Sequence, residues 1–465
     1  MVAALSNLSR SPRWRGAVLL SASIAVLVML APGPLALVPL AAFLLLSYGT
    51  LLVVERKRRS ALAAGVITIV IAYAWLKKYT IFPHQAFLPI AYVTLGLSYI
   101  FFRVLHLVIE TAESDEAQVV PFVRYLSYML NFTTLTSGPI QRYDEFARDQ
   151  YAREPIELDS SVVGLQLERI VRGFFKVNVL AMVLDLLRKE ALLELVQSDS
   201  PTTRLASAFE LSIIYPLFLY ANFSGYIDVV IALARLMRVR LPENFDRPFS
   251  AASFLDFWNR WHITLSSWLK TYVYNSLLVA MMRRVSSAAV QPYLGVFGFF
   301  VTFFLVGIWH GRTSEFVAFG LLQGGGVAIN KLWQVFLTQN LGAKRYKALS
   351  RRPIYVMFAR GLTFTWFAFT LYWFWADWGQ LHQIADALDA PRWLSVWAGI
   401  WVLATLVLQA WEWLRAALLS IALGPEPLLA SRYARVVYAS VLGFAAFMVT
   451  IVLNQPAPDI IYKAF

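Results

Sequence analysis

Phe303-Phe304-Leu305-Val306-Gly307-Ile308-Trp309-His310-Gly311 closes an apolar run over residues 293–310. A run of that length approaches the roughly 20 residues a helix needs to cross hydrocarbon. The histidine at its end is costly there unless something pairs with it or uses it. The chain returns to such runs again and again. Of its 465 residues, 59% are hydrophobic and only 15% charged, where a soluble globular chain carries about 25% charge. Mean hydropathy is +0.59. The pattern predicts an all-α polytopic membrane protein, because a β-barrel shows short alternating segments instead.

Charge agrees with that class. The formal net charge is +13, from 41 Lys and Arg against 28 Asp and Glu. Basic residues gather in cytoplasmic loops and face anionic headgroups of the lipid bilayer; a second reading has some loops meeting an acidic carrier or a phosphate-bearing donor. No basic and aromatic domain stands apart from the apolar runs, so nucleic acid is not an expected partner. The chain has no cysteine, which excludes thioester chemistry on the protein, disulfides and thiolate metal sites.

Toward the N-terminus, Arg10, Arg13 and Arg15 precede an apolar run at 17–31 that lacks a convincing cleavage site, so it reads as an uncleaved first span. Pro32-Gly33-Pro34 breaks it and 35–54 resumes. Glu55-Arg56-Lys57-Arg58-Arg59 closes this hairpin, placing both basic ends in the cytoplasm. Further spans are predicted near 60–76, 88–109, 162–190, 207–236, 316–337, 354–376, 395–421 and 434–454, with an aromatic, apolar stretch at 121–140. The basic segment 344–352 belongs on the cytoplasmic side. With the opening run the total is about 11 or 12 crossing or re-entrant helices in a single membrane domain over 1–465, with no internal repeat.

Residues 238–292 are different. Arg238, Arg240, Glu243, Asp246, Asp256, Arg260, His262 and Lys270 interrupt the segment while aromatics fill the gaps. Positions 254, 257–258, 261, 265, 268–269 and 272 form one apolar helical face, with Asp256, Asn259, Arg260 and Lys270 off it. Such a segment lies in the interface or dips in beside a water-filled cavity. Of the other titratable groups, His84 and His382 sit among loop residues and read as solvated. His106 lies between Leu105 and Leu107, and Asp228 lies in an apolar run. For each of these two, a structural partnership stands beside a functional role; Arg235 is one possible partner for Asp228.

His310 also admits two readings. At a helix end it is either a packed structural histidine or a group facing a water-accessible cavity. In the second case a neutral imidazole, with an ordinary pKa of roughly 6.5, takes a proton from an alcohol and returns it to a leaving group. No serine stands in a Gly-x-Ser-x-Gly elbow, so direct attack by an activated acceptor needs fewer parts than a covalent acyl-enzyme. Two histidines without paired carboxylates at ligand spacing make a poor metal site, and no metal is expected.

Five motifs then point one way. Ser137-Gly138-Pro139-Ile140 with Arg142-Tyr143, Phe223-Ser224-Gly225-Tyr226 with Asp228, Leu241-Pro242-Glu243-Asn244-Phe245, Asp256-Phe257-Trp258-Asn259-Arg260-Trp261-His262 and Gly307-Ile308-Trp309-His310-Gly311 occur in that order. Together they resemble the membrane-bound O-acyltransferase family (MBOAT), in the bacterial branch of alginate O-acetylation and teichoic-acid D-alanylation membrane proteins. The resemblance covers about 90–330. It implies helices arranged around a central tunnel, His310 as catalytic base and His262 as second active-site residue on a re-entrant segment. Asn259, Arg260, Trp261, Trp309 and Asp228 would line the tunnel. Arg283, Arg284, Lys344, Arg351 and Arg352 are candidates for meeting the donor, with topology as their alternative role.

The resemblance further implies a cytoplasmic thioester donor, acetyl-CoA or an acylated acyl carrier protein with its phosphopantetheine arm, and no permanently bound cofactor. The acyl group, acetyl first and D-alanyl as the alternative, would pass to a hydroxyl for modification of an exported or cell-wall polysaccharide. A periplasmic or extracellular esterase-like partner would complete the transfer, and the location would be the bacterial cytoplasmic membrane. The chain also departs from its relatives. Lys270-Thr271 and Tyr274-Asn275-Ser276-Leu277 replace the usual alginate-type continuation, and Gln323 stands where many relatives have a further histidine. Asn259-Arg260-Trp261-His262 and Gly307-Ile308-Trp309 look more like the D-alanylation branch, whereas Ile460-Ile461-Tyr462-Lys463-Ala464-Phe465 leans to the alginate type. Two rival classes remain: a proton-coupled solute transporter using His262, His310 and Asp228, and an inactive scaffold for a partner enzyme.

Overall fold

A computed structural model describes residues 1–57, 59–94, 96–114, 120–423, 426–427, 431–453, 456 and 458. Arg58, Leu95, Glu116 and the C-terminal motif at 460–465 lie outside the described residues. Helix dominates, and the only β-ladder among the described residues pairs Ala422–Leu423 with Glu426–Pro427.

Eight helices among the described residues are long and apolar enough to cross a membrane. They are α1 (Pro12–Leu30), α2 (Pro34–Lys57), α3 (Arg59–Leu76), α4 (Pro201–Leu236), α5 (Gln291–His310), α6 (Pro353–Trp375), α7 (Ala390–Ser420) and α8 (Arg432–Leu453). Their starts are written in the sequence. Pro12 and Pro353 open α1 and α6 where a missing N–H costs nothing, and the Asp389 side chain accepts from the Arg392 N–H at the head of α7. Between α1 and α2 the Pro32-Gly33-Pro34 break falls where expected.

Other expected spans took different forms. The 88–109 run becomes helical only from Leu97, after a left-handed Gly96 at φ 77°, and most of the Leu97–Glu113 helix is buried in protein. In 121–140 only Phe122–Met129 is helical. The 162–190 run lies in a continuous helix from Ser160 to Gln197 with a π-helical stretch at Lys176–Ala181. Glu168, Arg169, Arg172 and Lys176 make it too charged to sit bare in lipid. The Ser314–Leu341 helix is long enough to cross, but Gln323, Asn330, Lys331 and Gln334 lower its hydropathy.

The chain forms two compact units, Met1–Ile170 with Ile227–Glu243, and Val171–Tyr226 with Asn244–Ile461. In the first, buried Arg103 donates to the carbonyls of Tyr128, Met129 and Thr134 and to the Thr134 hydroxyl. This cation caps the C-terminus of the Phe122–Met129 helix, where orphan carbonyls gather. His106 has a structural partner, since its Nε2 accepts the Tyr143 N–H at 3.2 Å. Asp149 binds Arg240 through both oxygens, and those hydrogen bonds push the Arg240 pKa up.

In the second unit, α5 and the Ser314–Leu341 helix pack through glycine. A Cβ on Gly307 would lie 2.1 Å from the Cα of Gly320, and one on Gly324 would lie 2.6 Å from the Phe300 carbonyl. Small residues four apart let the two backbones touch, the packing expected of helices in lipid. That contact fixes the end of α5 that carries His310.

Candidate active site

His262 and His310 both belong to the second unit, and both are buried, at 1% and 3% exposure. The half-buried indole of Trp309 stands against each of them, with ring centroids 6.4 Å from His262 and 4.8 Å from His310.

The segment carrying His262 has most of the predicted apolar face: Phe254, Phe257, Trp258, Trp261, Leu265, Trp268 and Leu269 are buried, and Tyr272 is half-buried. It is not one helix, however. Phe254–Trp258 ends, a turn follows, and Ile263–Leu269 begins with His262 as its N-cap at φ 45°, ψ 52°. Left-handed backbone at a non-glycine residue costs about 1–3 kcal/mol and persists only where its surroundings enforce it.

Asn244 supplies that enforcement. Its carbonyl accepts the Ile263 N–H at 3.0 Å, and Asp246 N–H donates to the Arg260 carbonyl at 2.9 Å. Phe245 and Trp261 form an antiparallel bridge between these bonds. The Asn244 side-chain oxygen accepts both the Thr264 N–H at 3.1 Å and the Thr264 hydroxyl at 2.9 Å. Since a backbone N–H can only donate, these bonds fix which end of the carboxamide faces the helix. Below the turn, Phe257 and Trp261 stack, and Phe367 packs tilted against both, with centroids 4.4 Å from Phe257 and 5.0 Å from Trp261. Phe223 packs edge-on to His262 at 5.0 Å.

His310 ends α5 as part of a regular helix. Gly311 follows because the Phe316 ring occupies the place of a Cβ, 2.1 Å away. Phe374 and Phe319 flank the imidazole at 5.1 and 5.9 Å. One helical turn beyond those rings, fully buried Gln323 donates to the Thr370 hydroxyl at 2.8 Å.

The remaining sequence-predicted residues divide. Trp261 lies in the aromatic stack under His262. Arg260 pairs with Asp256 at 3.0 Å, and exposed Asn259 lines a cavity of about 60 Å³ with Trp258, Ser266, Lys270 and Thr302. Asp228 belongs to the first unit, where its carboxylate accepts from Arg169 at 2.9 Å and Arg169 also grips Glu243. Arg169 comes from another helix, so a structural partnership across helices holds this carboxylate. Arg283, Arg284, Lys344, Arg351 and Arg352 are all exposed. Asn244 stands in a sequence motif that by itself signals no role, and Phe319, Phe374 and Thr370 carry no sequence signal, being ordinary members of apolar helices.

A multi-pass helical membrane protein with two buried histidines around one indole defines the class. Residues 41–374, which include both histidines, match the membrane-bound O-acyltransferase family (MBOAT), and the chain belongs to it. It is similar to the teichoic acid D-alanyltransferase of Streptococcus thermophilus, 30% identical over 246 residues, 51% of this chain and 57% of that protein. The teichoic acid D-alanyltransferase of Bacillus subtilis is 26% identical over 278 residues, 60% of this chain and 67% of its own. The probable alginate O-acetylase AlgI of Pseudomonas fluorescens is 30% identical over 241 residues, 51% of this chain and 44% of its own. The match to the first of these relatives thus spans little more than half of that protein's length.

Proposed function

We propose that this protein is an O-acyltransferase of the bacterial cytoplasmic membrane that passes an acyl group from a thioester donor to a hydroxyl. The observation that carries the reading is the shared indole. Trp309 stands against both buried imidazoles inside the region matched to the family. A packed structural histidine does not require a second histidine held nearby in costly left-handed backbone.

In this reading His310 takes the proton of the acceptor hydroxyl. The oxygen attacks the thioester carbonyl, the C–S bond breaks, and the departing sulfur receives the proton back from the imidazolium. The products are an ester and a thiol, with no acyl-enzyme. The role proposed for His262 is to donate its ring N–H to the carbonyl oxygen as negative charge develops there. Phe319 and Phe374 exclude water, which would otherwise hydrolyse the thioester. The donor is acetyl-CoA or an acylated carrier protein, entering from the cytoplasmic side, where Arg283, Arg284 and the 344–352 segment are the cations available to it. Acetyl is the proposed group and D-alanyl the alternative, since relatives of both names match. The group would reach an exported polysaccharide either directly or by way of an extracytoplasmic esterase-like partner.

The test is transfer of labelled acyl from either donor in membranes and in purified protein. The reading requires transfer by the wild-type chain and its loss in folded His310→Ala. Full activity of that variant would overturn it.

A further inference from the structure

A second polar cavity, of about 590 Å³, opens between the Met182–Gln197 helix, α4 and the end of α6. Asp185, Arg188 and Lys189 line it, with Tyr215 and Trp375. Pro456 and Pro458 complete its wall, and among the described residues its charges are unbalanced. Asp185 Oδ1 accepts from Arg188 Nε at 3.0 Å and from an Arg188 terminal nitrogen at 2.8 Å, and Oδ2 takes Lys189 Nζ at 2.8 Å. One carboxylate therefore serves two cations and the cluster keeps one net positive charge. Asp185 takes two of the five N–H donors of a guanidinium and one of the three of an ammonium, leaving donors of both kinds for a guest. The guanidinium also lies over an aromatic ring: its central carbon is 5.4 Å from the centre of the Trp375 ring, and Tyr215 packs on that ring at 5.6 Å. Arg188 is only 17% exposed, so it forms a built wall rather than a mobile surface cation.

Position gives the cavity a use. Trp375 adjoins Phe374, whose ring touches His310 at 5.1 Å. With the basic 344–352 segment in the cytoplasm, α6 carries the chain across to Trp375, so the cavity faces the opposite side, from which an acceptor arrives. We propose that Arg188 and Lys189 bind an oxyanion of the acceptor, a carboxylate or a phosphodiester, and so orient its hydroxyl toward His310. This rests on the acyl-transfer reading for its consequence but not for its binding step. A bidentate pair with a planar guanidinium fixes orientation as well as affinity.

The experiment uses full-length protein in nanodiscs of neutral lipid, without donor. The probes are an oligouronate, a poly(glycerol phosphate) of matched length and a neutral oligohexose. Binding of at least one anionic probe, weakening with salt, is expected, together with a loss of about tenfold in Lys189→Gln and more in Arg188→Gln. Arg392→Gln, a charge-matched change elsewhere in the same unit, is expected to bind as wild type. Lys189 is 63% exposed, so its variant folds even where Arg188→Gln does not. In the transfer assay both variants raise the acceptor KM while the donor KM stays constant. Which anionic probe binds distinguishes carboxylate from phosphodiester. Equal binding of the neutral probe, or wild-type affinity in Lys189→Gln and Arg188→Gln, overturns the site. Anion binding intact with no transfer from any donor would instead overturn the acyltransferase reading and leave the site standing.

Discussion

His262 and His310 reach the same indole by opposite means. His310 sits at the end of a regular helix whose position is set by glycine contact with its neighbour. His262 sits in left-handed backbone that a passing extended segment pins through Asn244 and Asp246. The first is placed by packing between helices and the second by hydrogen bonds to a turn. Packing errors move a whole helix end, whereas a lost hydrogen bond releases one residue. The two histidines should therefore fail differently when their supports are cut.

The largest effect is expected from removing chemistry without support. His310→Ala leaves the glycine contacts intact and should lower acyl transfer by about 10²–10⁴-fold, the range for a lost general base. Radiolabel transfer in detergent-purified protein of unchanged elution profile measures it. Next comes the support of His310. Gly307→Val places a branched side chain where the Gly320 backbone lies 2.1 Å from the new Cβ. The α5 contact must open, at a cost of about 1–3 kcal/mol for overpacking, and transfer should fall with stability. Denaturant unfolding in micelles reads the first and labelled transfer the second. Wild-type stability and activity in Gly307→Val would mean that glycine contact does not place His310.

The ease of reading these two sites from sequence follows from the same contrast. α5 was legible because lipid demands a continuous apolar run, and its terminal histidine stood out against that background. The apolar face of 254–269 was legible because burial repeats with helical period. The break at His262 was not: its φ is imposed by Asn244, eighteen positions away in sequence, and no local pattern of Asn259-Arg260-Trp261-His262 requires it. Likewise 88–109 reads as a lipid span on apolarity alone, while protein burial accepts the same residues with Arg103 and His106 among them. Hydropathy cannot tell a lipid neighbour from a protein one.

Cutting the support of His262 should cost less than cutting that of His310. Asn244→Ala keeps the backbone bond from Ile263 and the Phe245–Trp261 bridge but removes the side-chain oxygen that accepts from the Thr264 N–H and hydroxyl. A buried group stripped of its partner costs about 1–3 kcal/mol. His262 then samples right-handed backbone, so kcat should fall by about tenfold, with acceptor KM changed less than twofold. A folded Asn244→Ala protein with wild-type kcat would break the claim that this clamp places the second histidine.

Thr264→Val divides that clamp further and gives the smallest effect. Valine keeps the branched shape and the backbone N–H, so the N–H bond to Asn244 Oδ1 survives while the hydroxyl's bond to that oxygen is lost. A single intramolecular hydrogen bond contributes about 0.5–1.5 kcal/mol. Because the remaining N–H still fixes the carboxamide, the left-handed turn should hold. Stability should drop by that amount and kcat by less than twofold, with Thr264→Ser restoring the stability. If Thr264→Val instead lowered kcat as far as Asn244→Ala does, the hydroxyl and not the backbone bond would be what holds His262. The turn would then depend on side-chain chemistry alone, and the contrast with the packing-held His310 would be sharper than the backbone geometry implies.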